Sequence, residues 1–531
     1  MIKKPVGILL TLVLSVTLSL LGCSSSSPSA NHSSQTNEQA EVVPKDKNEL
    51  RVALSVSPPS IDLVKTSTTV ALQVGWHIFE PLVTLDKDYK PTPMLAKSFE
   101  VSEDGKEVTF TLREGITFHN GKTLGVEDVI ASLNRWKELS PNGKTALVGA
   151  TISSKENDKV VITLEKPSGT LLTSLAFPQQ GAVIMPKEVI DAATEEGVKE
   201  YIGTGPFKFV EWKQDQYILL EKFADYKALS EPANGLGGKK EAKVDRIYFH
   251  TVPDAATRVA GLQSGEYDFA DELPYDNYEQ LKADPNLVTV VAKPQKYVGL
   301  IFNKKQGLFS SAVARQAVNA ALDQEVIMIG ITGNPDFFRL DHSLMFAEQP
   351  WHSDAGKEKY NQKNPELAKK LLNEAGYKGE PVTIITTKDY DYIYKSSLMV
   401  KDHLEKIGVK VNFELYDWPT MVSKRSDETK WNIFFTGFPT YTNPVQTLYL
   451  DSRNKWPGWY NNPEMDALLD ELRHTIKFED QKAIFDKIQT LYWEDLPSVK
   501  LGDLHGLAAH RNYVKGYQYF MDSPFWNVSV Q

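Results

Sequence analysis

The chain has 531 residues, of which 59 are Lys or Arg and 69 are Asp or Glu, so its formal net charge is −10. This length is sufficient for two or more hydrophobic cores. The acidic balance argues against nucleic acid and anionic lipid surfaces as main partners, and the single Cys leaves no intramolecular disulfide to form.

The N-terminal segment has the features of an export signal. A short basic start precedes an uncharged apolar stretch, residues 6–21, which is shorter than the ~20 residues that a membrane-spanning helix needs. The sequence Leu20-Leu21-Gly22-Cys23 follows and resembles a bacterial lipobox, in which the cysteine sulfur receives a diacylglycerol. We therefore predict a signal peptide over residues 1–22, lipidation of Cys23, and a polar, flexible tether over residues 23–47.

The first part of the body shows strand, hairpin and helix patterns in turn. Residues 50–56 alternate as a strand does, and Asp104-Gly105 is a two-residue turn signal between β-rich segments. Residues 126–136 carry apolar side chains at helical spacing, and residues 159–167 resemble another strand. Gly115, Gly121 and Gly205 are expected at turns.

The later half alternates helices and strands. Residues 364–377 predict a helix with Asn364 as its N-cap, Pro365 in its first turn and Gly376 just past its end. A strand, a helix ending at Gly408 and another strand follow, and in that last strand Val409, Val411, Phe413 and Leu415 are expected to face inward. A strand–helix–strand order predicts a parallel sheet. The predicted fold class is α/β with mixed sheets and at least two lobes.

Motifs of catalysis are missing from the sequence. It contains neither a G-x-S-x-G elbow nor an H-E-x-x-H helix. His342 and His352 lie ten residues apart beside Asp341 and Asp354, which is a weak metal signal, and solvated loop residues are the favoured interpretation. We predict no catalytic residue, no metal site and no cofactor.

Five segments, taken in order, carry a family resemblance. They are residues 79–135, "GTGPFKFVEW" (203–212), "TRVAGLQSGEYDFA" (257–270), residues 300–327 and "AKKLLNEAGY" (368–377). Together they resemble the family 5 extracellular solute-binding proteins of ABC importers, the dipeptide, oligopeptide and nickel-binding type. The resemblance runs from about residue 50 to the C-terminus.

The resemblance implies a two-lobed periplasmic-binding-protein type II fold with an extra subdomain and with the ligand between the lobes. Lobe I would take residues 48–292 and 497–531, with the subdomain at about 76–200, and lobe II would take residues 293–496. The implied role is that of a receptor without enzyme activity: an extracytoplasmic monomer, held to the membrane by its lipid, that delivers a solute to ABC permease subunits. Most signature residues have scaffold roles, and Arg315 and Asp323 are expected to pair with neighbours on a helix surface.

The sequence defines the role of a receptor more narrowly than the class of its ligand. Peptide-binding relatives often use an aspartate after a Gly/Ala-Trp pair to bind the amino terminus of the peptide, but Phe438 and Thr440 stand at those positions here. A buried ammonium without a carboxylate costs on the order of several kcal/mol. A peptide-like solute is the leading prediction, and an opine, an oligosaccharide or a metal chelate stays open.

Eight residues are candidate ligand contacts: Thr66, Ser67, Arg339, Asp341, Trp418, Phe438, Thr440 and Tyr441. The hydroxyl groups suit hydrogen bonds, Arg339 suits a carboxylate or phosphate, and Trp418 and Tyr441 suit stacking on a ligand face. For each aromatic residue, packing in the core is an equal alternative. A cell-surface hydrolase, or a signalling or chaperone module without a transporter, is the alternative function.

Overall fold

The computed structural model describes residues 48–531, so the predicted signal peptide, Cys23 and the tether lie outside the described residues. Within residues 48–531, no helix combines the length and the apolar character needed to cross a bilayer.

The described residues form strands of 2 to 16 residues. The strands are β1 (Glu49–Leu54), β2 (Val83–Leu85), β3 (Pro91–Pro93), β4 (Ala96–Val101), β5 (Glu107–Leu112), β6 (Thr151–Glu156), β7 (Lys159–Thr163), β8 (Phe207–Lys213), β9 (Tyr217–Lys222), β10 (Arg246–Thr251), β11 (Phe269–Ala270), β12 (Leu287–Phe302), β13 (Phe338–Arg339), β14 (Val382–Thr387), β15 (Val411–Tyr416), β16 (Ile433–Pro439), β17 (Ser498–Arg511), β18 (Val514–Lys515) and β19 (Ser529–Val530).

Helices cover the faces of these strands. They are α1 (Thr69–Gly75), α2 (Val126–Leu139), α3 (Pro141–Ala146), α4 (Leu171–Ala176), α5 (Lys187–Asp191), α6 (Ala255–Ser264), α7 (Tyr278–Ala283), α8 (Ala312–Ala321), α9 (Gln324–Thr332), α10 (Pro365–Glu374), α11 (Asp391–Lys406), α12 (Trp418–Lys424), α13 (Pro463–His474) and α14 (Phe478–Asp495).

One mixed sheet runs through the whole described body, in the order β15-β14-β16-β12-β17-β11-β1-β10-β9-β8. The pairs β14–β15, β14–β16, β1–β10 and β1–β11 are parallel, as the strand–helix–strand pattern predicts for the later half. The strands β4-β5-β7-β6 form a separate antiparallel sheet, in which the predicted Asp104-Gly105 turn joins β4 to β5.

Two large hydrophobic cores lie on either side of the pair β12–β17. The first core takes its residues from positions 50–269 and 508–530, and the second from positions 297–504. We call the two parts of the molecule built around these cores the first and second lobes. The long strands β12 and β17 contribute to both lobes, and the register of their pairing shifts between Ala292 and Lys296. The chain therefore passes between the lobes through two paired strands.

Local signals predict their own elements well. Asn364 accepts a hydrogen bond from the Leu367 backbone N–H at 2.9 Å, Pro365 opens α10, and Gly376 has a φ of 79° just past its end. Gly115 and Gly121 also have positive φ and lie in turns. Gly205 serves a different purpose, because a Cβ there would overlap the backbone carbonyl of His77.

Two expectations for side chains are wrong. Leu415 is 45% exposed, and it lies in β15, the edge strand of the sheet, which pairs only with β14 among the described residues. Arg315 is 5% exposed and makes no surface pair; its guanidinium donates to the carbonyl oxygens of Phe309 and Leu496 at 2.8 and 3.0 Å. Asp323 does pair at the surface, with Lys363 at 3.2 Å.

Candidate functional site

A polar recess lies where β12 passes from the first lobe to the second. Lys296 of β12 places its Nζ 3.6 Å from Glu272 Oε1 of the first lobe and 5.0 Å from the ring centre of Tyr392 of the second lobe. Gly437 makes this packing possible, since a Cβ there would lie 2.7 Å from the Tyr392 hydroxyl. Burial alone would lower the pKa of Lys296, but the charge of Glu272 and the nearby phenols raise it above its ordinary value. Lys296 therefore stays protonated between the lobes.

Two more carboxylates lie close by in the first lobe. Asp271 directly follows β11, and the amide of Gln73 in α1 donates to Asp271 Oδ2 and, at 2.9 Å, to Asp522 Oδ1. Because β1 and β11 are parallel, Asp271 lies at the carboxyl ends of adjacent strands, where open α/β sheets commonly bind ligands. Burial and the charge of Glu272 raise the pKa of Asp271 to about 7.

The two lobes also touch on the far side of this recess. Thr442 Oγ1 donates to the Thr173 carbonyl at 3.0 Å, and Asn443 Nδ2 donates to Thr173 Oγ1 at 3.0 Å. A second contact joins the Gly169 N–H to the Arg473 carbonyl at 3.1 Å. The lobes are thus in contact through hydrogen bonds as well as through the strands β12 and β17.

A small apolar cavity of about 30 Å³ lies within the first lobe. Its lining includes Trp76, Phe79, Phe177 and Trp526. Phe177 faces Tyr441 of the second lobe with ring centres 6.3 Å apart. Phe177 therefore adds an aromatic face of the first lobe to the contact with Tyr441.

Three predicted ligand contacts lie at the end of β16 and differ in their surroundings. Phe438 stacks on Tyr297 at 4.8 Å inside the second core, as a packed aromatic does. Thr440 is 3% exposed, and its Oγ1 has no hydrogen-bond partner among residues 48–531. Tyr441 is half-buried at the contact between the lobes, and its carbonyl accepts a hydrogen bond from Gln349 Nε2.

Thr66 and Ser67 precede α1 in the first lobe. The Thr66 hydroxyl is buried against Thr68, whereas Ser67 is exposed and its carbonyl accepts from Gln179 Nε2 at 2.6 Å. The segment 173–179 thus contacts both Ser67 in the first lobe and Tyr441 in the second lobe. Trp418 lies apart from this group, with its ring 5.0 Å from that of Tyr390.

Arg339 and Asp341 are held by other charged groups. The Arg339 guanidinium donates to both oxygens of Glu348 at 2.7 and 2.9 Å and to Asp503 Oδ2 at 2.7 Å. Asp341 accepts from the Ser343 N–H at 2.8 Å and lies 3.2 Å from His352 Nε2. In the described part of the chain, no three side chains of the His, Cys, Asp or Glu type come together as metal ligands.

Comparison with known proteins identifies the family. The model of the bacterial extracellular solute-binding proteins, family 5 middle region, matches residues 90–458, well over half of the chain. The chain belongs to this family. It is therefore an extracytoplasmic solute-binding receptor of the ABC-importer type and not an enzyme, as the sequence predicts.

Three relatives of this family 5 receptor cover nearly its whole length. A probable peptide ABC transporter periplasmic-binding protein of Sinorhizobium fredii is 32% identical over 83% of this chain and 86% of its own. The glutathione-binding protein GsiB of Salmonella typhimurium is 27% identical over 89% and 92%. The solved structure of AgaA from A. tumefaciens R10, in complex with agropinic acid, is 26% identical, with a TM-score of 0.76 over 91% of this chain and 99% of its own. The two-lobed type II fold is confirmed.

The residues that form the charged recess of this family 5 receptor were not among the ligand contacts predicted from the sequence. Lys296, Asp271 and Glu272 form it together with Gln73 and Asp522. One signal was available, because an Asp-Glu pair directly after a short buried strand marks a carboxyl end of the sheet. The arrangement can bind a polar solute through a fixed cation and several acceptors.

Proposed function

We propose that this receptor is a lipid-anchored protein that captures a peptide-like solute in the cleft between its lobes and delivers it to the permease subunits of an ABC importer. The observation that carries the proposal is the recess at β12, where Lys296 lies between Glu272 of one lobe and Tyr392 of the other. A solute bound there contacts both lobes and the connecting strand at once. Binding then favours the closed arrangement, which a permease can distinguish from the open one.

The solute class is supported by two relatives and by the composition of the cleft. The relatives are named for peptide and glutathione. A peptide offers carboxylate, amide and side-chain groups, which suit Lys296, the unpartnered Thr440 hydroxyl and the rings of Phe177 and Tyr441 respectively. AgaA supports an opine as the second candidate, since its structure contains agropinic acid.

The domain limits and the anchor belong to the same proposal. Lobe I takes residues 48–292 and 497–531, with the subdomain at about 76–200, and lobe II takes residues 293–496. The membership of the two cores supports the limit near residue 293, while Val499, Leu501 and Leu504 of the crossing strand β17 still pack in the second core. The basic start, apolar stretch and Leu20-Leu21-Gly22-Cys23 motif support removal of residues 1–22 and lipidation of Cys23. In this arrangement a monomer stays close to the permease without spanning the membrane.

We expect the purified protein to bind a solute without changing it. In a thermal-shift screen of di- to pentapeptides, glutathione and opines, a solute at 100 times its Kd should add about 2.7 kcal/mol of stability. X-ray scattering should then show a smaller radius of gyration, because the lobes close. Chromatography of the mixture after a day should return the solute intact. A shift caused only by opines would replace the peptide class, and steady consumption of the solute would support a hydrolase instead.

A further inference from the structure

The amide of Gln73 joins two carboxylates that come from distant parts of the chain. Its Nε2 donates to Asp271 Oδ2 and to Asp522 Oδ1, and Asp522 Oδ1 also accepts from the Ser523 N–H at 2.8 Å. Gln73 is 2% exposed and Asp522 is 6% exposed. Even so, Gln73 Oε1 and Asp522 Oδ2 have no hydrogen-bond partner among residues 48–531. Two buried acceptor atoms in this cluster therefore have no donor among the described residues.

The charges around this cluster do not balance. Three acids, Asp271, Glu272 and Asp522, lie within it or beside it. Lys296 forms its ion pair with Glu272 and not with the other two. Arg258 of α6 is the other nearby cation, and its guanidinium donates to backbone carbonyls, including that of Glu272 at 2.7 Å. The charge of Arg258 acts on Asp271, but in the described part of the chain neither Asp271 nor Asp522 forms an ion pair.

Among residues 48–531, the remaining neighbours that act on this cluster offer hydroxyl groups. Tyr517 lies close enough for Asp271 and Asp522 to act on its phenol, and that phenol is 2.9 Å from Ser523 Oγ. Buried carboxylates are normally paired or coordinate a cation, because an isolated buried charge is costly. The unmet acceptors and the missing positive charge point to the same kind of occupant.

We propose that Asp271 and Asp522, bridged by Gln73, bind the cationic amine of the solute. This inference rests on the proposed function and names the group that the receptor recognises. An ammonium has three donors and no acceptor, so it can satisfy Asp522 Oδ2, Gln73 Oε1 and one oxygen of Asp271 together. The cluster supplies from the first lobe the carboxylate that is missing at Thr440 in the second lobe.

The decisive variant is Asp522→Asn, studied with matched pairs of probes. The probes are glutathione and N-acetylglutathione, Ala-Ala and N-acetyl-Ala-Ala, and small amines with their acetylated forms. In calorimetry we expect wild type to bind the free amines at least about 100-fold more tightly than the acetylated forms. We expect Asp522→Asn to lose that preference. Asp402→Asn is the matched control, since Asp402 lies on the surface of α11 in an exposed pair with Lys406.

The stability of the solute-free protein separates a binding role from a structural one. Asp522→Asn keeps the acceptor for Gln73 and removes a buried acid that is repelled by Asp271, so its melting temperature should equal or exceed that of wild type. A fall of several degrees would mean that Asp522 holds the fold, and would overturn the inference. Equal binding of free and acetylated probes, or no binding of any amine, would also overturn it. If wild type binds non-peptide amines but no peptide, and Asp522→Asn loses that binding, the inference is supported and the peptide class is excluded.

The same cluster predicts how binding depends on pH. Burial and the charge of Glu272 raise the pKa of Asp271 to about 7, and burial and the charge of Asp271 raise the pKa of Asp522. Below pH 7 Asp271 therefore carries a proton in the solute-free protein, and an ammonium must displace it. Affinity for glutathione should fall up to about tenfold per unit between pH 7 and pH 5. Asp271→Asn should flatten this dependence, and the slope of Asp402→Asn should match wild type.

Discussion

An Arg135→Met variant should lose about 3–5 kcal/mol of unfolding free energy. Arg135 of α2 forms a two-point pair with Asp62, with Nη1–Oδ1 and Nη2–Oδ2 distances of 3.0 and 2.5 Å. The two side chains are 6% and 1% exposed, so removing the guanidinium leaves a carboxylate in the protein interior. Urea unfolding followed by tryptophan fluorescence measures the loss. The slope with urea should stay close to that of wild type if the fold is retained.

The matched control is Arg246→Met. Arg246 pairs with Glu49 at 3.1 Å, but its side chain is 51% exposed. Exposed pairs contribute about 0.2–1 kcal/mol, so this variant should unfold close to wild type. Similar losses of unfolding free energy in both variants would mean that burial of the Asp62–Arg135 pair does not determine its contribution to stability. A second variant, Arg135→Met with Asp62→Asn, should recover part of the stability because it removes the uncompensated charge.

The Asp62–Arg135 pair matters for function because of where it fastens the chain. Asp62 lies in the loop between β1 and α1, and Arg135 lies in the subdomain that contains the β4-β5-β7-β6 sheet. Asp62 Oδ2 also accepts from the Val198 N–H at 3.2 Å. The same loop carries Thr66 and Ser67 and leads to Gln73. The pair therefore fixes one wall of the cleft against the subdomain.

Elements encoded by nearby residues follow directly from the sequence. The ends of α10 depend on Asn364, Pro365 and Gly376, and the β4–β5 hairpin depends on Asp104-Gly105, so each signal lies within a few residues of its effect. Nearby residues alone do not determine which side chains of a strand are buried. Whether Leu415 faces a core depends on the position of β15 in the sheet, which an alternating pattern of apolar residues does not encode.

The candidate site also contains residues that the sequence predicts and residues that it does not predict. Thr440 was found through its place in a family motif, and its unpartnered hydroxyl keeps it a candidate contact. The acidic cluster has no such motif, because Gln73 is 198 residues from Asp271 and 449 residues from Asp522 along the chain. Only the pairing of β11 with β1 and β17 brings these residues together. A site assembled from three distant segments has no local spacing to detect.

A Gly169→Ala variant should bind solute about 10- to 100-fold more weakly, while its lobes fold as in wild type. Gly169 lies on the subdomain side of the contact between the lobes, and a Cβ there would overlap the carbonyl oxygen of Thr475. Overlap of this kind costs about 1–3 kcal/mol. The cost falls on the closed arrangement alone, because the two residues belong to different lobes. Weaker binding follows from the smaller population of closed protein.

Calorimetry with the solute that gives the largest thermal shift measures this loss, and scattering at a solute concentration near the wild-type Kd should show a radius of gyration above that of wild type. Gly125→Ala is the matched control in the same subdomain, since a Cβ there has no contact closer than 3.7 Å and its φ of −127° suits any residue. Gly125→Ala should bind and scatter as wild type does. If Gly169→Ala binds normally, the contact at Arg473 and Thr475 does not form in the solute-bound state. Closure would then depend on the recess around Lys296 and on the contact of Thr442 and Asn443 with Thr173.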